Sequence, residues 1–290
     1  MDEVAVRHKA RSFIARIDLT TIRDDLSPYL AAANAKLRAE ELGDGESGFT
    51  ITKASGRSIV TVNNQETIER QRFTICHEIA HIVLGLPSSH EEVPAWSYAK
   101  RNVNEIACDV FASELLMPYQ LWFSSLPKEE PSIDVIQEMA AHFGTSFPAA
   151  ASRYASLSER PCAFVTMERG GVRYSARSTS LRHVGAWISP RSTIPSGSVA
   201  HRLRAAGKSG IESDDVAQDI WFDDWEKGLQ LTEISRHFAK TDTTTSLLWF
   251  DADELPKGEV DRFGARVDEE DSLKELTGKL DWSTLDRRRR

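Results

Sequence analysis

Cysteine is scarce in this sequence. Cys76, Cys108 and Cys162 are the 3 thiols in 290 residues, and none forms a CxxC or CxxH pair. That spacing excludes a disulfide framework and leaves reduced thiols, buried as small apolar residues, as the expectation. Long apolar runs are missing too, since none approaches the roughly 18 to 20 residues that span a bilayer. The N-terminal MDEVAVRHKARSF is charged throughout and lacks the apolar core and small-residue cleavage site of a secretory signal. A soluble cytoplasmic protein without membrane partners is expected. Excess positive charge is also lacking: the formal net charge of −8 argues against wholesale coating of nucleic acid. There is no internal repeat and no low-complexity tract. What is present, 40% hydrophobic and 28% charged residues over 290 positions, suits a globular chain with core enough for two domains.

Periodicity divides the chain near Ser158. Before it, EVAVRHKARSFIARI and SPYLAAANAKLRAEEL read as two helices, the second capped by Ser27, with Pro28 in its first turn and Gly43 as its stop. GFTITKASGRSIVTVN alternates on both sides of Ser55-Gly56 and reads as a β-hairpin. A helix over Gln65–Leu84 follows, ended by Gly85-Leu86-Pro87, and after a polar loop VNEIACDVFASELLMP forms another, closed by Pro118. SIDVIQEMAAHFG and SFPAAASRYASL make a helical pair over 132–157. Its spacing is that of a helix-turn-helix, but Arg153 is the second helix's one cation, which suits packing better than a DNA groove. Residues 159–290 turn β-rich, with hairpins around Gly170-Gly171 and Lys240-Thr241-Asp242 and a helix from Ser198 to Gly207. The predicted class is α+β: a mainly helical domain with a small sheet over 1–158, then an α+β, sensor-like (GAF/PAS-like) domain ending in a solvated STLDRRRR tail.

Within the predicted 65–84 helix, CHEIAH interrupts apolar residues with His77, Glu78 and His81. Helical positions four apart lie about 40° round and about 6 Å along, so both imidazoles reach one metal ion from a single face. Glu78 stands on the edge of that face, where its carboxylate meets a metal-held water without ligating. This is HExxH spacing, and its uncharged flanks suit a helix under an active-site cleft. A catalytic zinc takes a third protein ligand. Glu105 and Asp109 share a face of the downstream helix, and Glu91 and Glu92 compete from the loop.

NEIACD resembles the NExxxD arrangement of thermolysin-like peptidases. That resemblance implies Glu105 as zinc ligand and Asp109 as the group anchoring the second ring nitrogen of His77, an anchor that any ligating histidine needs. RQRFTICHEIAHIVLG followed by NEIACDVFASELLMP resembles the ImmA/IrrE-like metallopeptidases over roughly residues 50–160. The resemblance implies a zincin-like, gluzincin-type fold and a zinc-dependent endopeptidase with Glu78 as general base. It further implies a helix-turn-helix (XRE-like) repressor as substrate, and activation by DNA damage or single-stranded DNA, as in certain anti-phage systems. Tyr98 is a candidate oxyanion donor, the strand Ile59–Val62 a candidate edge for an extended substrate, and Cys108 a candidate zinc-bound latency thiolate. A non-catalytic DNA- or protein-binding regulator with a structural metal site is the alternative, disfavoured because structural zinc is closed by four protein ligands and has no need of Glu78.

From Arg169 to Ile211 there is no acidic residue but there are 8 cations. Arg169, Arg173, Arg177, Arg182 and Arg191, with Trp187 and Tyr174 to stack bases, form a candidate site for single-stranded nucleic acid or a nucleotide. A surface neutralised by the acidic stretch after it is the competing reading. Strand alternation predicts Arg173, Ser175 and Arg177 on one face.

Overall fold

The computed structural model describes residues 2–17, 25–43, 45–87, 102–127, 129–222, 225 and 229–255. The chain divides between Ala155 and Ser156 into two compact units. In the first, α1 (Glu3–Ile14) buries Val6, Ala10, Phe13 and Ile14 along one stripe. Helix α2 (Ser27–Ala32) is short, and Leu26 rather than Ser27 holds its N-cap position. The helix expected to run on to Gly43 stops there. Asn34 turns the chain at φ 51°, and AKLRAE becomes strand β1 (Ala35–Glu40). Its residues favour helix one by one, but parallel pairing with β3 along the whole strand overrides that preference.

Strands β2 (Gly48–Thr52) and β3 (Ser58–Asn63) form the predicted hairpin, and the sheet order is β1-β3-β2. Strand β1 runs parallel to β3 and β2 antiparallel. The expected substrate edge at Ile59–Val62 is therefore corrected, because β3 is flanked on both sides and the open edges belong to β1 and β2. Helix α3 (Ile68–Leu84) starts where the Thr67 side chain accepts from Arg70 N, and ends at Gly85 in the left-handed region. It lies close on the hairpin at Gly48, where a Cβ would stand 2.5 Å from Thr61 O and 2.6 Å from Thr74 Cγ2. Gly48→Ala should therefore cost about 1–3 kcal/mol by overpacking, read as a lower midpoint in urea.

Asn102 caps α4 (Val103–Leu116), and α5 (Tyr119–Ser125), α6 (Ile133–Phe143) and α7 (Phe147–Leu157) complete the unit. Helices α1, α4 and α7 meet at a buried charge network. Glu114 Oε1 accepts from Arg11 Nε at 2.9 Å and Glu114 Oε2 from Arg153 Nη1 at 2.9 Å, while Arg153 Nη2 donates to Met117 O. Arg153 is thus turned inward, and α7 keeps no cation for a DNA groove.

The second unit is a five-stranded antiparallel sheet of order β5-β4-β8-β7-β6. Its strands are β4 (Cys162–Glu168), β5 (Gly171–Arg177), β6 (Gly210–Ala217), β7 (Gln230–Phe238) and β8 (Thr243–Trp249). Helices α8 (Thr179–His183) and α9 (Val199–Ala205) contribute Leu181, Val199 and Leu203 to a core with Val165, Met167 and Phe222. Buried Glu233 accepts from Val199 N, Ala200 N, Trp221 Nε1 and Ser235 Oγ, tying α9 to the sheet. Among the described residues no helix is long and apolar enough to cross a membrane.

Candidate metal centre

One turn of α3 sets His77 and His81 on the same face, their rings edge to face with centroids 4.9 Å apart. The Nε2 atoms of the two rings approach to 3.1 Å. Helix α4 packs alongside and brings in Glu105, with Oε2 at 3.0 Å from His77 Nε2 and Oε1 at 3.6 Å from His81 Nε2. On the far side of the imidazole, Asp109 Oδ1 lies 3.0 Å from His77 Nδ1. Glu78 is buried in the same helix, and His77, Glu78 and His81 each offer a ligand atom within 4.8 Å of one another.

The environment of His77 is built for positive charge. Burial lowers its pKa, but the hydrogen bonds to Asp109 and Glu105 outweigh burial and raise it to about 9. Burial pushes Glu105 up, but the hydrogen bond to His77 and the nearness of the His81 ring hold it far down. Two imidazoles and a carboxylate are the donor set of a catalytic zinc site. Bonds of about 2.0–2.1 Å in tetrahedral array place ligand atoms about 3.3 Å apart, and the three observed separations, 3.0, 3.1 and 3.6 Å, bracket that spacing. Glu105 Oε1 is also buried without a hydrogen-bond partner among the described residues. The residues therefore fit a zinc ion.

Asp109 Oδ1 faces His77 Nδ1, the ring nitrogen turned away from Glu105, and accepts a hydrogen bond there when that nitrogen carries hydrogen. Asp109→Ala is expected to weaken zinc affinity by about 10–100-fold, measured by competition with a chelating dye. Not anticipated from the sequence is the support from Arg72, whose Nε donates to Gly144 O at 3.1 Å and so ties α3 to the end of α6. The signal was the arginine of the RFT run that precedes CHEIAH.

Cys76 and Cys108 are buried free thiols; burial pushes Cys76 up to about 12, and burial with the nearby Glu105 and Asp109 charges pushes Cys108 higher still. Tyr98, Glu91 and Glu92 lie outside the described residues.

The basic segment of the second unit is partly neutralised from beyond its own limits. Arg202 pairs with Glu212 and Asp214, Arg204 with Asp242, and Arg173 with Glu168 at 2.9 Å. Arg182 Nε donates to Arg177 O, while the Arg177 guanidinium donates to Ala186 O and stacks 4.5 Å over the Trp187 ring. Trp187 is 58% exposed. Arg169 and Arg191 occupy left-handed turn positions, at φ 50° and 71°. Of the shared face expected for Arg173, Ser175 and Arg177, the ladder aligns Ser175 and Arg177 and leaves Arg173 at a bulge. Ser175 and Arg177 stand opposite Val165 and Ala163, and a register shift puts Val172 opposite Met167, with Arg173 as the extra residue between Val172 and Tyr174.

Residues 31–154 match the family model of the IrrE N-terminal-like domain, Peptidase_M78. The radiation response metalloprotease IrrE of Deinococcus deserti is 29% identical over 149 residues, a match that takes in 48% of this chain and 52% of the relative. The chain thus spans about half the length of that curated relative. A Mycobacterium tuberculosis transcriptional regulator shares the fold, with a TM-score of 0.58 at 13% identity over 86% of this chain and 76% of that one. With its buried His-Glu-His cluster in place, the chain carries an IrrE N-terminal-like domain over residues 31–154 and is a distant homologue of the radiation response metalloprotease IrrE.

Proposed function

We propose that this chain is a zinc-dependent endopeptidase that cleaves a helix-turn-helix repressor in response to a stress signal such as DNA damage. The observation that carries the reading is the convergence of His77 Nε2, His81 Nε2 and the Glu105 carboxylate beside buried Glu78. In this reading His77, His81 and Glu105 hold the ion. When bound, zinc supplies a coordinated water acidified to near neutrality and a Lewis acid for the substrate carbonyl. Asp109 keeps His77 in one tautomer and orientation. Glu78 takes the proton from the attacking water and delivers it to the leaving amine. The substrate lies extended along β2, the open edge strand that packs on α3. Supporting the signal and target are the resemblance of the motifs to repressor-cleaving peptidases and the radiation response named for the relative.

The second unit acts as the sensor in this proposal, in the manner of GAF/PAS-like domains. Arg169, Arg177, Arg182 and Arg191, with exposed Trp187, contact single-stranded DNA or a nucleotide, while Arg173 is committed to Glu168. Co-expression with a helix-turn-helix repressor encoded beside this chain tests the whole, with repressor length followed by intact mass before and after DNA damage. A damage-dependent shorter product, absent with His77→Ala, is expected. An intact repressor together with a zinc-free wild-type protein would sink the reading in favour of a non-catalytic binding regulator.

A further inference from the structure

Strand β1 is the outer strand of its sheet, on the side away from β2. Ser58 N donates to Asn34 O at 3.1 Å and Asn64 N to Glu40 O at 3.0 Å. With the parallel register of Ala35 on Ser58 and Ala39 on Val62, the even-numbered residues serve the ladder to β3. The N–H and C=O groups of Ala35, Leu37 and Ala39 therefore point away from it. Residues 36–39 are exposed, including Leu37 at 45%. At the start of the strand a cavity of about 650 Å³ opens between α2, β1 and α3, lined by Leu26, Leu30, Leu37 and Ile75 together with Arg57 and Arg72. Asp25 also lines it, and the hydrogen bonds its carboxylate accepts from the hydroxyl and backbone of Ser27 hold it below the ordinary carboxylate value, so it keeps its negative charge. Glu40 is paired with Arg38. Among the described residues the edge thus carries outward backbone groups, a pocket of mixed polar and apolar lining on the Leu37 side, and the cations Lys36, Arg57 and Arg72 against the one carboxylate of Asp25.

We infer that this edge docks an extended, acidic and apolar peptide segment of a partner protein by strand addition. Backbone pairing with Ala35, Leu37 and Ala39 supplies affinity, and alternate side chains entering beside Leu37 supply selectivity. An apolar side chain covers Leu26, Leu30 and Ile75, and a neighbouring carboxylate meets the guanidinium groups. A second copy of this strand is a poor occupant, because it would set Lys36 and Arg38 against their own kind. The paired strand Ala35–Glu40 is far along the chain from His77, while Arg72 and Ile75 of the pocket share α3 with it; the inference does not depend on the peptidase reading.

The test is fluorescence anisotropy of the full chain with a labelled peptide of alternating aspartate and valine, against one of alternating lysine and valine. Saturable binding of the acidic peptide is expected, weakened about tenfold or more by Ala39→Pro and by Arg57→Glu. Ala39→Pro removes an outward N–H and no bond to β3; Arg57→Glu decides the matter if that variant does not fold. Glu78→Gln should bind as wild type, so that failure here is separate from failure of the peptidase. Equal binding of the two peptides, no saturable binding, or binding indifferent to both substitutions would overturn the inference.

Discussion

Glu78→Gln is expected to lower repressor cleavage by about 10²–10⁴-fold, the usual worth of a positioned general acid–base group, while the protein retains its zinc. The substitution keeps the volume of a fully buried side chain and removes only its capacity to accept a proton. The contrast with Glu105→Gln makes the result diagnostic. Glu105 stands within 3.0 Å of His77 Nε2 and 3.6 Å of His81 Nε2, so its neutralisation should release metal and activity together. Metal content by elemental analysis, measured beside cleavage rate, separates the two. Loss of zinc in Glu78→Gln would mean that Glu78 ligates, and cleavage unchanged in Glu78→Gln would remove it from the chemistry.

Glu114→Gln should be the most damaging substitution for folding. It strips the carboxylate from a network in which Arg153, itself only 4% exposed, has its ion partner. Breaking a buried pair by one partner costs about 3–5 kcal/mol, because the other charge stays buried without compensation. In a unit of this size the loss corresponds to a Tm lower by on the order of 10 °C. A pH dependence goes with it. Burial pushes Glu114 up, but Arg153 and Arg11 hold it below the ordinary carboxylate value. Its folded pKa therefore lies under the unfolded value of about 4.3. The stabilisation is complete above that value and disappears as pH falls through the folded one, when the folded state must take up a proton. Acid titration of the melting temperature should show this limb in wild type and a shallower one in Glu114→Gln. Coinciding profiles would mean that the network contributes nothing.

The features legible in the sequence are those fixed over short chain distances. His77, Glu78 and His81 share one helix, and Glu105 and Asp109 another, so spacing alone aligned each set; the Ser55-Gly56 turn and the Gly85 stop were equally local. What spacing could not show is which strands meet. AKLRAE looks helical until β3 is present to pair with it, and GIESDDVA looks like a solvated acidic stretch until β7 lies beside it as a partner for β6. The acidic stretch that the competing reading set against the basic segment does supply Asp214 to Arg202, whereas Asp242, the partner of Arg204, lies far along the chain and approaches only when the sheet assembles. Helix α5 is a 7-residue element with no periodic stripe long enough to read.

The contact of α1 with Glu114 also sets an order in time. Arg11 and Glu114 are 103 residues apart and Arg153 lies a further 39 beyond Glu114. At a synthesis rate of about 5–20 residues per second, α1 waits on the order of ten seconds for its acidic partner and several seconds more for α7. During that interval Phe13, buried in the finished protein, has the Tyr29 ring beside it but not Phe111 of α4. Helix α1 is thus a segment whose apolar stripe needs a chaperone's cover until α4 and α7 have been made.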